Sequence, residues 1–450
     1  MAEREFDVVV LGAGPAGEVV CGRLADGGLD VVVVESHLIG GECSFYACMP
    51  SKALLRPGEL LAEVRRIPGL VAEGLDVEAA LARRDQVIHD LDDSGMEPWL
   101  ESKGIALVRG HGRLDGERRV RVEDDVLVAR RAVVVCTGSG AAVPPIDGLR
   151  EAEPWNNRQA MIAKSVPARL AVLGGGVVGV EMAQAWSSLG SQVTLIEAAD
   201  RLIAREEPFA SQDVADGLHE RGVDVRCGVS AVAVRASAGE VEVELSVGGP
   251  VRADELLVAV GREPVTDEIG LETVGLEPGK PIEVDDSMRA NDWLYAIGDV
   301  NGRVLLTHMG KYQARVAAEV ILGGEARITE DGERSPRVIF TDPQVAAVGY
   351  TLEAARSAGL NVRAVDVTTQ GNAGASFYGR EAAGTTRLVI DEDRGVIVGA
   401  TFTGPEISEF LHAATIAVVG EVPLDRLKHA IPSFPTRSEV WLKLLEAYGL

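Results

Sequence analysis

The chain has 450 residues, of which 46% are hydrophobic, and a formal net charge of −25. That length predicts about three domains, each with a sizeable core. The acidic balance argues against nucleic acid and anionic membrane surfaces as partners, because phosphate binding needs clustered Lys and Arg.

Targeting and membrane signals are missing from the sequence pattern. Residues 1–6 are charged and run directly into a strand, so we expect no secretory or transit segment. No uninterrupted apolar run approaches about 18 residues, so we expect no membrane span. These features predict a cytoplasmic protein, a compartment in which a disulfide is usually catalytic rather than structural. Cys21, Cys136 and Cys227 lie in apolar contexts and are predicted to be buried small hydrophobes.

The first elements of the chain are a strand, a glycine-rich turn, a helix and a second strand. An apolar strand at residues 6–11 precedes the turn, the helix runs towards Asp26, and the second strand covers residues 31–34. The glycines and the acid that closes the unit are Gly12, Gly14, Gly17 and Glu35. This order is typical of a dinucleotide-binding fingerprint.

Two cysteines, Cys43 and Cys48, follow this unit with four residues between them. That spacing does not match the usual zinc-binding Cys-x-x-Cys, and no second cysteine or histidine pair lies nearby. If the segment forms the first turns of one helix, the sulfurs lie about one turn apart and can form a reducible disulfide. A helix N-terminus would also lower the thiol pKa. The spacing alone leaves two interpretations, a redox-active pair or two inert core cysteines.

The fingerprint occurs a second time in the middle of the chain. A strand at residues 170–173 precedes the turn, a helix runs to Leu189, and a strand covers residues 193–196. The corresponding glycines and acid are Gly174, Gly176, Gly179 and Glu197. In both copies the acid lies 23 residues after the first glycine. Such glycines let the backbone approach a pyrophosphate at a helix N-terminus, and the carboxylate binds a ribose, so two copies predict two dinucleotides.

Three further motifs complete a pattern that resembles a known family. They are Val133–Cys136 followed by Thr137, Gly138 and Ser139; Val258–Val260 followed by Gly261, Arg262 and Pro264; and Tyr295–Ile297 followed by Gly298 and Asp299. In this order, and with the two fingerprints, the chain resembles the flavoprotein disulfide reductases, the family of dihydrolipoamide dehydrogenase, glutathione reductase and mercuric reductase. The similarity covers nearly the whole chain.

The resemblance implies an α/β fold class, with two Rossmann-like dinucleotide-binding domains and an α+β C-terminal dimerisation domain. It places an FAD-binding domain at residues 1–150 and 262–335, an NAD(P)-binding domain at 151–261 and an interface domain at 336–450. Within the interface domain the pattern predicts strands at 338–341, 362–369, 387–390 and 396–403, then helices at 408–419 and 437–447. A homodimer is implied, with two-fold symmetry.

The resemblance also implies a role for each site residue. The FAD-binding residues would be Gly12, Gly14, Gly17, Glu35, Gly41, Thr137, Gly138, Ser139, Gly298 and Asp299. The NAD(P)-binding residues would be Gly174, Gly176, Gly179, Glu197, Gly261 and Arg262. The catalytic residues would be Cys43, Cys48, Lys52, Glu181 and Glu439, and no metal is expected.

In the family's reaction, hydride passes from the nicotinamide to the flavin, and the electrons then reduce the Cys43–Cys48 disulfide. Cys48 would face the flavin, and Cys43 would exchange with an external acceptor. A Lys52–Glu181 pair would stabilise negative charge on the reduced flavin. Glu197 favours NAD over NADP, because a carboxylate repels a 2′-phosphate. Arg201 and Arg205 lie downstream and could weaken that preference.

The main departure from the family pattern lies near the C-terminus. Members that act on dithiols carry His-Pro-Thr-x-x-Glu, in which the histidine is the general base. Here Phe434 takes the histidine position while Glu439 remains, so a proton transfer typically worth 10²–10⁴-fold lacks its usual group. His429 is interpreted as a surface or capping residue, and His308 as packing near the FAD. Mercury reduction is not expected, because no cysteine pair lies near the C-terminus.

Three functional hypotheses therefore stay open. The chain is a disulfide reductase for a small-molecule or thiol/disulfide acceptor that brings its own proton source, or it uses His429; the intact cysteine pair favours this hypothesis. Alternatively it reduces a quinone or another small acceptor, as the apolar Phe434 favours. A third hypothesis, from another class, is a redox-sensing flavoprotein of low turnover.

Overall fold

A computed structural model describes residues 3–237, 239–379 and 384–450. The strands, numbered in chain order, are β1 Glu3–Leu11, β2 Val31–Glu35, β3 Ala106–Arg109, β4 Gly112–Leu114, β5 Arg119–Val122, β6 Asp125–Val135, β7 Ser139–Ala141, β8 Arg169–Leu173, β9 Gln192–Glu197, β10 Asp224–Cys227, β11 Ala231–Ser237, β12 Glu240–Leu245, β13 Val251–Ala253, β14 Glu255–Val258, β15 Arg262–Pro264, β16 Leu294–Ala296, β17 Arg337–Ile339, β18 Gln344–Gly349, β19 Val362–Thr368, β20 Thr385–Asp391 and β21 Val396–Gly404. The α-helices are α1 Pro15–Asp26, α2 Gly41–Phe45, α3 Cys48–Arg66, α4 Val77–Val87, α5 Glu97–Ser102, α6 Asn157–Ile162, α7 Val177–Ser188, α8 Pro208–Glu220, α9 Thr307–Ile321, α10 Leu352–Ser357, α11 Leu411–Val419, α12 Leu424–Leu427 and α13 Val440–Tyr448.

The chain folds as two compact units. The first unit contains Met1–Pro50, Asp85–Ala142 and Arg262–Gly332, and the second contains Ser51–Arg84, Val143–Gly261 and Glu333–Leu450. Residues 51–84 therefore belong to the second unit, whereas the sequence pattern assigned them to an FAD-binding domain. The division into three domains stays a prediction.

A seven-stranded sheet forms the centre of the first unit. Its strand order is β3-β2-β1-β6-β5-β4, and β16 pairs with β6 beyond that path. The pairs of β1 with β2 and of β1 with β6 are parallel, and Val8–Val10 are completely buried within β1. Continuous apolar strands of this kind are typical of parallel sheets that are covered on both faces.

The second unit contains a four-stranded parallel sheet, β10-β9-β8-β14, beside the antiparallel sheet β11-β12-β13. Its C-terminal part is a five-stranded antiparallel sheet in the order β17-β18-β21-β20-β19. Apolar side chains of α11 and α13, among them Leu411 and Leu444, pack in one cluster with this sheet. The α/β fold class with an α+β C-terminal region is confirmed.

Most predicted elements are present, but two expectations were wrong. The cysteine segment is not one helix, because α2 ends at Phe45 and α3 begins at Cys48, and Tyr46 between them has a non-helical φ of −135°. Cys227 is partly exposed at the end of β10 rather than buried, although Cys21 and Cys136 are buried. Within the described residues, none of the helices combines the length and apolar character that a bilayer crossing requires.

Candidate functional site

The first glycine fingerprint makes a tight connection between β1 and α1. Gly12 has a φ of +99°, and a Cβ at this position would lie 2.5 Å from the carbonyl oxygen of Cys136. A Cβ at Gly17 would lie 2.0 Å from the Gly12 oxygen, so a larger residue at either position would push the backbone apart. A Cβ at Gly14 would contact no protein atom within 4 Å, and no side chain caps α1. The amides at the start of α1 are therefore accessible to an anion.

Glu35 ties this turn to the end of β2. Its carboxylate accepts hydrogen bonds from the backbone amides of Ala13 and His37, both at 2.7 Å. A carboxylate can accept about four hydrogen bonds, so lone pairs remain for a ribose hydroxyl. Gly41 approaches the same turn closely, since a Cβ on it would lie 2.9 Å from the Gly14 Cα.

The second fingerprint repeats this geometry between β8 and α7. Gly174 has a φ of +106°, and a Cβ at Gly179 would lie 1.8 Å from the Gly174 oxygen. A Cβ at Gly176 would again meet no protein atom within 4 Å. Glu197 accepts from the amides of Gly175 at 2.5 Å and Ala199 at 2.6 Å, in the same arrangement as Glu35. The two glycine turns thus have the same geometry and donor set.

Three residues from distant parts of the sequence meet beside β7 and β15. Ser139 Oγ donates to Asp299 Oδ2 at 2.5 Å and accepts from Arg262 Nε at 2.7 Å. Arg262 also lies 3.9 Å from Asp299 and 4.0 Å from Glu42. Burial raises the pKa of Asp299, and the hydrogen bond from Ser139 opposes that shift. Arg262 was predicted to bind NAD(P), which stays a prediction, while two of the residues that it contacts, Ser139 and Asp299, were predicted to bind FAD.

The loop around Gly298 is held by a residue that the sequence did not single out. Gln313 Oε1, fully buried on α9, accepts from the Gly298 amide at 2.7 Å and from Asn301 Nδ2 at 2.9 Å. Thr137 is tied separately, through a 2.7 Å hydrogen bond from its hydroxyl to the Val265 oxygen. No local sequence signal predicts the Gln313 contacts.

Cys43 on α2 and Cys48 at the start of α3 lie close to disulfide-bonding distance. A hydrogen bond with Cys48 raises the pKa of Cys43, and burial raises it further. The hydroxyl of Thr307 and the charge of Lys311 act in the opposite direction. The expectation of a lowered thiol pKa was therefore wrong for Cys43, because the hydrogen bond with Cys48 and burial both raise its pKa.

Lys52 and Glu181 form the predicted ion pair, with 2.8 Å between Nζ and Oε2. The other carboxylate oxygen accepts from the backbone amide of Phe340 at 2.9 Å. The Lys52 ammonium also lies 4.5 Å from the centre of the Phe340 ring. Glu181 and Phe340 together fix the position of the lysine. The sequence did not predict the contribution of Phe340.

The C-terminal segment contains no imidazole at the position of the expected base. The ring of Phe434 is 76% exposed, which leaves it available to another molecule. Glu439 is near the amide of Gly374, at 3.4 Å. His429 and His308 are exposed, and the packing of His308 near the FAD stays a prediction.

Comparison with known proteins assigns the chain to a family. The model for pyridine nucleotide-disulphide oxidoreductases matches residues 6–318, and the model for their dimerisation domain matches residues 335–445. The chain belongs to the pyridine nucleotide-disulphide oxidoreductase family. It is an FAD-dependent oxidoreductase that uses a pyridine nucleotide.

Relatives within the family differ in the activities that their names record. The chain is 31% identical to a dihydrolipoyl dehydrogenase of Chlamydia muridarum, over 97% of this chain and 95% of the relative. It is 28% identical to a mercuric reductase of Staphylococcus aureus, over 97% of this chain and 81% of the relative. LpdA from Mycobacterium tuberculosis superposes with a TM-score of 0.88 at 25% identity, covering 99% of this chain and 100% of that chain. RclA from Escherichia coli, at 23% identity and a TM-score of 0.88, has the same fold over 98% of this chain and 99% of that chain.

The residues of this family member fit both dinucleotides. Each glycine turn leaves open space at the position of its second glycine, next to uncapped amides of a 12-residue helix. Each turn also presents a carboxylate that already accepts two amides and retains lone pairs for a ribose. These are the donor and acceptor groups that a dinucleotide requires.

Proposed function

We propose that the chain transfers electron pairs from NAD(P)H to a disulfide acceptor through Cys43 and Cys48. The observation that carries this proposal is the pair itself, two cysteine sulfurs near disulfide-bonding distance and close enough to share a hydrogen bond at the junction of α2 and α3. Bound FAD would supply the electron pair that it takes from the nucleotide. The disulfide bond would accept two electrons and one proton and break, which leaves Cys43 as a thiol and Cys48 as a thiolate.

Electrons would then leave through Cys43. Its thiolate, formed on loss of the proton, would attack one sulfur of the acceptor disulfide and release the other as a thiolate. Cys48 would then attack Cys43, restore the internal disulfide and release the second acceptor thiolate. The acceptor gains two electrons, and its two thiolates take up the proton that left Cys43 and one proton from solvent. The proton on Cys43 makes its first step the difficult one, because the thiolate is the nucleophile.

The binding roles follow the two glycine turns. Gly12, Gly14, Gly17, Glu35 and Gly41 would hold the adenosine diphosphate part of FAD, with Thr137, Gly138, Ser139, Gly298 and Asp299 on the rest of the cofactor. Gly174, Gly176, Gly179, Glu197 and Gly261 would hold the nicotinamide nucleotide. We place Arg262 with the FAD-binding residues, because it donates to Ser139.

NAD is the favoured nucleotide. Glu197 carries the negative charge that repels a 2′-phosphate. Arg201, the first basic residue that could offset this charge, donates to Ser211 Oγ and to the backbone oxygens of Ala204 and Glu206. Its guanidinium is thus already engaged, and only the exposed Arg205 remains to bind a phosphate.

A homodimer formed through residues 336–450 is supported by the matched dimerisation domain. We further propose an FAD-binding domain at residues 1–150 and 262–335 and an NAD(P)-binding domain at 151–261. Sedimentation of the purified protein at several concentrations tests the dimer, and a monomer at micromolar concentration contradicts it.

A second acceptor class is favoured by one specific observation. Phe434 presents an exposed apolar ring where a dithiol-specific member has its histidine, and Cys48 and burial raise the pKa of Cys43, which disfavours its thiolate. Both features favour a quinone or another flat small molecule, which needs no thiolate attack.

Steady-state assays with NADH separate these acceptors. If the disulfide route is correct, Cys43→Ser abolishes lipoamide reduction, whereas the partly exposed Cys227 can be changed to serine without loss. Quinone reduction that survives Cys43→Ser, with no lipoamide reduction by the unmodified protein, favours the second class. Negligible turnover with every acceptor contradicts both and favours a sensor.

A further inference from the structure

The side chain of Thr307 points at the redox sulfurs. Its hydroxyl oxygen lies 3.4 Å from Cys48 Sγ, within hydrogen-bonding distance for sulfur. Thr307 is the first residue of the 15-residue helix α9, and its neighbour Leu306 provides no side-chain cap. The Thr307 hydroxyl faces sulfur.

The same hydroxyl also reaches the second sulfur. The hydrogen bond that Thr307 makes with Cys43 lowers the pKa of that thiol, against the larger upward effects of Cys48 and of burial. Lys311, one turn further along α9, adds positive charge near the sulfurs, and Glu18 on α1 interacts electrostatically with Lys311.

We propose that Thr307 is a catalytic residue that donates a hydrogen bond to the Cys48 thiolate after two-electron reduction. This inference rests on the proposed redox role of Cys43 and Cys48. When the disulfide accepts two electrons and one proton, the proton remains on Cys43 and the charge on Cys48. Thr307 is a neutral donor, so it stabilises that charge without taking part in proton transfer.

Hydrogen bonds to charged groups are stronger than those between neutral groups. If the donor is removed, the Cys48 thiolate is less stable, and a smaller fraction of Cys48 is a thiolate at a given pH. In Thr307→Val the methyl group keeps the shape of the side chain and removes the donor. We expect Cys48 in the reduced protein to react with iodoacetamide about tenfold more slowly at neutral pH than in the unmodified protein. We also expect the disulfide to be harder to reduce in glutathione buffers, by a similar factor in the equilibrium constant.

The experiment measures alkylation of each cysteine by mass spectrometry in FAD-loaded, reduced protein across a pH series. Thr307→Ser restores the donor and should return the rate to that of the unmodified protein. Thr415→Val is the matched control, because this helix threonine donates to the Leu411 oxygen instead of to sulfur. FAD content and unfolding temperature establish that each variant is folded.

The outcomes separate two kinds of failure. If the disulfide forms but Thr307→Val reacts like the unmodified protein, or if Thr307→Ser fails to restore the rate, the role of Thr307 is refuted. If Cys43 and Cys48 stay reduced in every glutathione buffer, the proposed function fails before Thr307 is tested. Should Thr307→Val lose its fold, Thr307→Ala against Thr307→Ser provides the same comparison.

Discussion

Alanine substitutions in the second glycine fingerprint separate nucleotide binding from folding. A Cβ at Gly176 would contact no protein atom within 4 Å, whereas a Cβ at Gly179 would lie 1.8 Å from the Gly174 oxygen. We therefore expect Gly176→Ala to leave the protein's stability unchanged and Gly179→Ala to lower it. Both variants should bind pyridine nucleotide weakly, for different reasons.

The magnitude follows from the cost of an extra methyl group in a filled space, about 1–3 kcal/mol. In Gly179→Ala this cost falls on the folded protein, because the obstructing atom is backbone. In Gly176→Ala it falls on the bound nucleotide, whose pyrophosphate must approach the first amides of α7. We expect the dissociation constant of NADH to rise about ten- to a hundredfold in Gly176→Ala.

Calorimetric titration of NADH into FAD-loaded protein measures the affinity, and thermal unfolding of the same samples measures stability. Gly249→Ala is the matched control, because Gly249 also has open space around a Cβ but lies outside the fingerprint. If Gly176→Ala binds NADH like the unmodified protein, this turn does not hold the pyrophosphate. Loss of FAD in Gly176→Ala would mean that this turn binds FAD and not the nicotinamide nucleotide.

Three further predictions follow from the site. In Cys48→Ala the largest cause of the raised Cys43 pKa is removed, so alkylation of Cys43 should begin at lower pH than in the reduced unmodified protein; an unchanged pH profile contradicts this cause. Glu181→Gln keeps an acceptor for the Phe340 amide but loses the ion pair, so we expect urea unfolding to show a free energy of unfolding lower by about 1–2 kcal/mol. The value is at the low end for a buried ion pair because the Lys52 side chain is 36% exposed. Glu181→Ala also removes the acceptor and should lower the free energy of unfolding by about 1 kcal/mol more; equal losses in the two variants would refute the role of the hydrogen bond. Phe434→His should raise lipoamide reduction by up to about 10²-fold, and no change would show that this position does not hold the base.

The parts of the site that sequence predicts well are those encoded by neighbouring residues. Each fingerprint places its glycines and its acid within one strand-turn-helix-strand unit, so spacing alone predicted Glu35 and Glu197. The carboxylates then make the same pair of backbone contacts in both copies. Because such a short segment has few possible conformations, the spacing of its glycines and acid already indicates that the acid lies beside the turn.

Contacts between distant segments could not be predicted in this way. Thr307 and Cys48 are 259 residues apart, and no periodicity connects them. The assignment of Arg262 followed its position after Gly261 in the chain, yet β15 pairs with β7 and brings its side chain to Ser139. The interruption at Tyr46 was missed because an unbroken helical pattern suited the residues on both sides of it.

The central claim is that Cys43 and Cys48 form a disulfide that accepts electrons from the nucleotide. Its most direct test is differential alkylation of the oxidised, FAD-loaded protein before and after anaerobic addition of one equivalent of NADH. Both cysteines should resist alkylation before NADH is added and should be alkylated after it, while alkylation of Cys227 should not change. Cysteines that label equally before and after NADH would contradict it.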